Sequence, residues 1–143
     1  MKILIVDDEQ KARSLLRTII SKLDNPDITL YEAQDLQEAV KSINTYLPDL
    51  VFLDIEMPRE QGTRIFEYLD KNEITFHLVF TTAYGDFALE AFEMNAIDYI
   101  MKPIRAKRIY EVIEKTEELK KQKSCTQKFR SSKKLFNRET LTK

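Results

Sequence analysis

The chain of 143 residues has the length of one ordinary globular domain, and 43% of its residues are hydrophobic and 33% charged. No apolar run approaches the roughly 18 residues that a membrane-spanning helix needs, and one cysteine, Cys125, excludes an internal disulfide framework or a cysteine zinc cluster. The net charge of −1 conceals an asymmetry, because residues 1–123 carry net −6 and residues 124–143 net +5. We therefore expect an acidic, folded, cytoplasmic domain without membrane contact, followed by a basic tail.

The first half of the chain alternates between strand and helix patterns. The apolar run Lys2–Val6 is too short for a secretory signal and predicts the first strand. Apolar residues at helical spacing follow over residues 10–23. The less apolar stretch Ile28–Ala33 predicts a strand at the edge of the sheet. Asp35 is a suitable N-cap for a second helix, which Pro48 ends.

The second half repeats this alternation. The run Val51–Leu53 predicts a third strand that ends at Asp54, and Gly62 opens or precedes a helix. The remaining predicted elements are a strand over Phe76–Thr81, a helix over 87–92, a strand over Ile97–Met101 and a helix over about 105–121. Strands that alternate with helices imply right-handed βαβ crossovers, and so an α/β fold with a parallel sheet between two layers of helices.

Polar side chains follow the predicted strands at their carboxyl ends, where open parallel sheets bind ligands. These residues are Asp7 and Asp8 after the first strand, Asp54 after the third, Thr82 after the fourth and Lys102 after the fifth. Crowded carboxylates repel one another unless a cation lies among them, and oxygen ligands suit Mg²⁺ or Mn²⁺. An aspartate nucleophile between a metal ion and a lysine predicts a phosphoryl-transfer site.

Over residues 1–121 the motifs resemble the receiver domain of bacterial two-component response regulators. The matching stretches are Ile3-Leu4-Ile5-Val6-Asp7-Asp8-Glu9, Leu53-Asp54-Ile55-Glu56-Met57-Pro58 with Gly62 four residues after the proline, Thr82-Ala83, and Asp98-Tyr99-Ile100-Met101-Lys102-Pro103. The resemblance implies a flavodoxin-like (βα)5 fold, a doubly wound parallel sheet with strand order 2-1-3-4-5. It also implies a signalling switch that catalyses only its own phosphorylation and dephosphorylation.

The resemblance further implies roles for individual residues. Asp54 would accept a phosphoryl group from a sensor histidine kinase. The metal ligands would be the carboxylates of Asp7, Asp8 and Asp54 with the backbone carbonyl of Glu56.

On the other side of the site, Thr82 and Lys102 would bind the phosphoryl oxygens and Tyr99 would be the switch aromatic. The Lys102–Pro103 peptide bond would be cis. In the family a glycine often stands where this chain has Asn95, and asparagine is the next-best residue for a left-handed helix C-cap.

A finer resemblance concerns the output of the switch. The stretch Thr82–Phe92 is similar to receivers joined to LytTR-type (LytR/AlgR-type) DNA-binding domains. We expect residues 122–143 to be a basic linker or the truncated start of an output region. DNA would then be bound only through an output domain absent from this chain.

Phosphorylation is expected to change the face formed by the fourth helix, the fifth strand and the fifth helix. This face combines acidic and basic residues, which are Asp86, Glu90, Glu93 and Asp98 on one side and Lys102, Arg105, Lys107 and Arg108 on the other. Opposite charges on neighbouring elements predict a phosphorylation-promoted homodimer with two-fold symmetry.

Two alternatives come from other functional classes. An aspartate-nucleophile phosphatase of the haloacid-dehalogenase kind would carry an Asp-x-Asp pattern after its first strand, where this chain has Asp7-Asp8-Glu9. A nucleotide-binding flavodoxin-like module would need a glycine-rich phosphate loop, and the chain contains only Gly62 and Gly85. Both alternatives fit the sequence less well than the signalling switch.

Overall fold

A computed structural model describes residues 1–85 and 93–122. Five parallel strands form one sheet in the order β2-β1-β3-β4-β5. The strands are β1 (Lys2–Val6), β2 (Thr29–Ala33), β3 (Leu50–Asp54), β4 (His77–Thr82) and β5 (Asp98–Met101). This order confirms the flavodoxin-like α/β fold and the edge position that the composition of β2 predicted.

The α-helices of the described part of the chain include α1 (Gln10–Ser21), α2 (Leu36–Tyr46) and α3 (residues 106–122), and Glu93 is also helical. The helix predicted over 87–92 lies outside the described residues. Within residues 1–85 and 93–122, none of the helices combines the length and the apolar character that a membrane crossing demands.

The helix predicted after Gly62 is a 3-10 helix, Gly62–Glu67, and a second short one follows at Lys71–Glu73. The hydrogen bonds of the Gly62–Glu67 helix join residues three apart, as in the bond from the Tyr68 amide to the Ile65 carbonyl (3.1 Å). The segment begins with glycine and continues with threonine, both of which have low α-helix propensity. Two residues of the segment thus favour an α-helix only weakly, and the segment takes the tighter 3-10 form.

Helix ends follow the predicted capping chemistry in two places. The Asp35 carboxylate accepts a hydrogen bond from the Glu38 amide (2.8 Å), which confirms Asp35 as the N-cap of α2. Asn95 has a φ of 57°, the left-handed conformation expected where family members often have glycine. Leu47, which no motif marked, also takes a left-handed φ of 51° at the end of α2, directly before Pro48.

Successive side chains of each strand point to opposite faces of the sheet, so each inner strand contributes to two cores. On one face, Leu4, Val51 and Leu53 pack with the buried residues of α2 and of the 3-10 segment. On the other face, Ile3, Ile5 and Phe52 pack with those of α1 and α3. All five residues of β3 are buried. The sheet is thus a rigid support that holds Asp54 at the end of its central strand.

Candidate functional site

Strand register brings the predicted site residues to one edge of the sheet. Val6 pairs with Leu53, so Asp7 and Asp54 follow on adjacent strands. Asp54 pairs with Thr81, and Thr82 pairs with Met101 at the end of β5. The site residues that the sequence predicted on β1, β3, β4 and β5 therefore converge, as expected for the carboxyl edge of a parallel sheet.

The three aspartates form an acidic cluster. Their carboxylates offer oxygen atoms that all lie within 4.8 Å of one another. Asp7 and Asp54 are each only 1% exposed, while Asp8 is half-buried. Oxygen-only donors that converge at a partly open position fit Mg²⁺, which prefers carboxylates and retains several waters. The chemistry of this donor set thus agrees with the ion that the sequence predicted.

Lys102 faces the acidic cluster from the end of β5. Its Nζ lies 3.0 Å from Asp7 Oδ2 and 3.5 Å from Asp54 Oδ1, so a single ammonium group bridges two buried carboxylates. Burial by itself lowers the pKa of Lys102. The hydrogen bond to Asp7 and the charges of Asp54 and Asp7 have a larger, opposite effect, so the pKa lies above its ordinary value. The Lys102–Pro103 peptide bond is cis, as predicted.

Asp54 has an unusual protonation equilibrium. Burial, and after it the negative charge of Asp7, raise the pKa of Asp54 to about 7, although the Lys102 ammonium lowers it. The neighbouring Glu56 charge adds to the increase. A carboxylate must be ionised to act as a nucleophile. A cation bound near Asp54 would lower its pKa and so favour the ionised, nucleophilic form.

The raised pKa of Asp54 predicts how stability depends on pH when divalent cations are removed by EDTA. A carboxyl group whose pKa is about 7 in the folded protein and 3.8 as its ordinary value takes up a proton on folding at pH values between the two. Its contribution to the free energy of unfolding is complete below pH about 4 and is lost as the pH rises to about 7. Asp54→Asn should therefore gain stability relative to wild type across this range, by at most about 4 kcal/mol.

Urea unfolding of both proteins between pH about 5 and about 8 measures this difference. Asp70→Asn, which changes an exposed aspartate outside the site, is the matched control and should show no such trend. Adding Mg²⁺ should reduce the difference, since a cation offsets the repulsion among the carboxylates. A pH-independent difference between Asp54→Asn and wild type would contradict the assigned environment.

Glu56 makes contacts that the sequence did not predict. Its carboxylate accepts hydrogen bonds from the Thr82 hydroxyl and from the Ala83 amide (3.3 Å). The Thr82 hydroxyl also accepts a bond from the Tyr84 amide (3.1 Å), and the Tyr99 hydroxyl donates to the Tyr84 carbonyl. Glu56 and Thr82 are 26 residues apart, and no sequence signal marks their contact beyond a glutamate two residues after Asp54.

Gly62 lies directly against the backbone of Asp54. Its amide donates to the Ile55 carbonyl (2.9 Å), and a Cβ atom at this position would lie 2.1 Å from the Asp54 carbonyl oxygen. The backbone of Gly62 has no positive φ, so the requirement for glycine is steric. The family motif includes this glycine, and the structure supplies its physical reason.

Comparisons with known proteins agree with this geometry. A family model described as the response regulator receiver domain matches residues 3–114. The chain belongs to the response regulator receiver family. As a receiver domain it is a signal-transducing module, and these findings give no support to the phosphatase alternative.

The curated relatives of this receiver domain include sensory transduction and regulatory proteins. The sensory transduction protein LytT of Enterococcus faecalis is 43% identical over 116 residues, which cover 80% of this chain and 47% of that protein. The positive alginate biosynthesis regulatory protein of Pseudomonas aeruginosa is 37% identical over 115 residues, covering 80% and 46%. The chain thus spans about half the length of the curated relatives it matches, and the match to the LytR/AlgR class confirms the finer resemblance.

Solved structures show the same fold. The response regulatory domain of mrkE from Klebsiella pneumoniae superposes with a TM-score of 0.74 at 30% identity, covering 85% of this chain and 99% of that one. A CheY-like receiver domain protein from Methanospirillum hungatei gives a TM-score of 0.74 at 26% identity, covering 85% and 97%. The fold of this receiver domain is therefore that of its structural neighbours.

Proposed function

We propose that this receiver domain accepts a phosphoryl group on Asp54 from a sensor histidine kinase in a Mg²⁺-dependent reaction. The observation that carries the proposal is the buried Asp54 carboxylate, which shares the acidic cluster with Asp7 and Asp8 and lies 3.5 Å from the Lys102 ammonium. A buried carboxylate with a cation on one side and room for a metal ion on the other is suited to nucleophilic attack on phosphorus.

In the proposed reaction, an Oδ atom of Asp54 attacks the phosphorus of a phosphohistidine. The P–N bond breaks, and the histidine nitrogen leaves with the electron pair and takes up a proton. Asp7, Asp8, Asp54 and the backbone carbonyl of Glu56 would hold Mg²⁺ or Mn²⁺. Such an ion neutralises charge on the phosphoryl oxygens when it is bound.

Lys102 and Thr82 would bind the phosphoryl oxygens once the acyl phosphate has formed. The Lys102 ammonium already contacts both buried aspartates, so a small movement would bring it from a carboxylate oxygen to an oxygen of the phosphoryl group. Thr82 is connected through the backbone of Tyr84 to the Tyr99 hydroxyl. This connection supports a role for Tyr99 as the switch aromatic that reports phosphorylation at the surface of β5.

The output of the switch is proposed to be transcription, in the cytoplasm. Two relatives, a LytT protein and an alginate biosynthesis regulatory protein, support a DNA-binding output domain of the LytTR type. Residues 122–143 would be a basic linker to that domain or the start of it. The receiver would comprise residues 1–121. Apart from its own phosphorylation and dephosphorylation it would catalyse no reaction.

The homodimer proposed for the phosphorylated state uses the face that includes β5 and α3. Arg108 on this face already pairs within its own protomer, with Asp98 (2.8 Å) and Glu111 (3.0 Å). Arg105 and Lys107 are exposed, as is Glu93, and would supply the intermolecular pairs. The helix predicted over residues 87–92, which also belongs to this face, lies outside the described residues.

The experiment that tests the proposed function is phosphorylation by acetyl phosphate. With Mg²⁺ the protein should take up one phosphoryl group per chain, in a hydroxylamine-labile bond typical of an acyl phosphate, and with EDTA it should take up none. Steady turnover of phosphomonoesters without a stable phosphoprotein would instead indicate a phosphatase.

The role of Lys102 predicts a further result. Lys102→Met removes the cation opposite the acidic cluster, and loss of one stabilising donor at a charge-developing centre typically costs about 10²- to 10³-fold in rate. The rate of phosphorylation by acetyl phosphate with saturating Mg²⁺ measures this effect. Lys41→Met removes an exposed lysine on α2 and is the matched control. An unchanged rate in Lys102→Met would exclude the proposed role of the lysine.

A further inference from the structure

The Glu56 carboxylate accepts hydrogen bonds from both Thr82 and the next residue, Ala83. One carboxylate oxygen accepts from the Thr82 hydroxyl and the other from the Ala83 amide (3.3 Å). Thr82 is fully buried and Glu56 is half-buried, so water competes weakly for these bonds. The structure therefore holds an internal anion at the threonine to which the proposed function assigns a phosphoryl oxygen.

The position of Glu56 relative to Asp54 makes this arrangement specific. The Glu56 amide donates to Asp54 Oδ1 (3.3 Å), and the Glu56 side chain is near enough for its charge to act on the Asp54 carboxyl. A phosphoryl group on Asp54 and the Glu56 carboxylate would thus compete for one small region. Both are anions that present oxygen acceptors, and charge-assisted bonds to them are stronger than neutral ones.

We propose that the Glu56 carboxylate is an internal stand-in for the phosphoryl group: it holds Thr82 and Ala83 in the unphosphorylated protein and is displaced when Asp54 is phosphorylated. The inference rests on the proposed function, in which Thr82 receives a phosphoryl oxygen. It assigns to the Glu56 side chain a role separate from the metal contact proposed for the Glu56 backbone carbonyl. Phosphorylation then replaces the Glu56 carboxylate with the phosphoryl group as the anion at Thr82. The strength of the Glu56 contacts lowers the net free energy gained in this exchange.

The connection from Thr82 to Tyr99 gives the exchange a structural consequence. The Thr82 hydroxyl accepts a bond from the Tyr84 amide, and the Tyr84 carbonyl accepts from Tyr99. While Glu56 holds Thr82, the loop after β4 and the Tyr99 hydroxyl are kept in one arrangement. Glu56 is therefore a positioning residue that favours this arrangement before any phosphoryl group arrives.

Binding of beryllofluoride, a phosphoryl mimic, with saturating Mg²⁺ tests the proposal. Glu56→Ala removes the competing carboxylate and keeps the backbone carbonyl, so beryllofluoride should bind at least about tenfold more tightly than to wild type, which corresponds to about 1.4 kcal/mol. Glu56→Gln keeps an acceptor for Thr82 but loses the charge and the bond from Ala83, so its affinity should be intermediate. Glu67→Ala is the control, because Glu67 is exposed and pairs with the exposed Arg64 of the same 3-10 helix.

The amide resonance of Ala83 provides a second measurement that does not depend on affinity. In the absence of beryllofluoride, Glu56→Ala should shift this resonance upfield, because the amide loses its charged acceptor, and beryllofluoride should shift it back. An affinity within about threefold of wild type, or weaker binding, in Glu56→Ala would overturn the stand-in role. So would an Ala83 resonance that Glu56→Ala leaves unchanged.

Failure of the proposed function has a different signature. If Thr82 does not contact the phosphoryl group, Thr82→Ala will bind beryllofluoride as tightly as wild type does. If wild type binds and Thr82→Ala does not, while Glu56→Ala equals wild type, the proposed function stands and the stand-in role alone is wrong.

Discussion

Asp54→Asn is expected to abolish phosphorylation by acetyl phosphate, because the amide that replaces the carboxylate is not a nucleophile and binds a metal ion poorly. Asp8→Ala should have nearly the same effect through loss of a metal ligand, although its nucleophile is intact. Intact-protein mass spectrometry after incubation with Mg²⁺ and acetyl phosphate measures the phosphorylated fraction. Peptide mapping then identifies the modified residue.

The matched control for this experiment is Asp70→Asn, which makes the same chemical change at an exposed position outside the acidic cluster. It should be phosphorylated as fully as wild type. Urea unfolding of Asp54→Asn with Mg²⁺ present checks that the variant is folded, so that loss of phosphorylation can be assigned to the missing carboxylate. Undiminished labelling of the same peptide in Asp54→Asn would exclude Asp54 as the acceptor.

Gly62→Ala is expected to lower the free energy of unfolding by about 3 kcal/mol or more, at the upper end of overpacking substitutions. The added Cβ would lie 2.1 Å from the Asp54 carbonyl oxygen and 3.1 Å from Leu53 Cγ, and the nearer atom is backbone that cannot turn away. The segment or β3 must then shift, which also displaces Asp54. Urea unfolding measures the loss of stability, and acetyl phosphate labelling measures the effect on the site.

Gly85→Ala is the control for this substitution. A Cβ at Gly85 would lie 3.6 Å from Met101 Cε and 3.7 Å from Met101 Sδ, which is ordinary van der Waals contact with a flexible side chain. This variant should keep the stability of wild type within about 0.5 kcal/mol. Equal stability of the Gly62→Ala and Gly85→Ala variants would show that the space between Gly62 and the Asp54 carbonyl admits a methyl group.

The strand order 2-1-3-4-5 was predicted from the resemblance to receiver domains. The amino-acid sequence by itself determined the parallel sheet and the edge at which Asp7, Asp54 and Lys102 meet. These features follow from hydrophobic periodicity and from the geometry of βαβ units, which depend on neighbouring residues and on a few general rules. The capping role of Asp35 was predictable for the same reason, because it is a property of one short segment. The left-handed conformation of Asn95 was expected from the glycine that family members often have at this position.

The 3-10 form of Gly62–Glu67 was not predictable from spacing alone, since its apolar residues fit either type of helix. The structure also decided everything that depends on distances between segments far apart in the chain. Lys102 and Asp7 are 95 residues apart, yet their contact sets the charge balance around Asp54.

The same is true of Glu56 and Thr82. Spacing along the sequence places a glutamate two residues after Asp54, but it does not tell whether its side chain faces solvent or the loop after β4. That choice depends on how the β3 and β4 loops pack, because the hydrogen bonds that hold the carboxylate exist only once both strands are paired. Tertiary structure thus decided the electrostatics of the site, whose energies change with separations of a few ångströms and with burial.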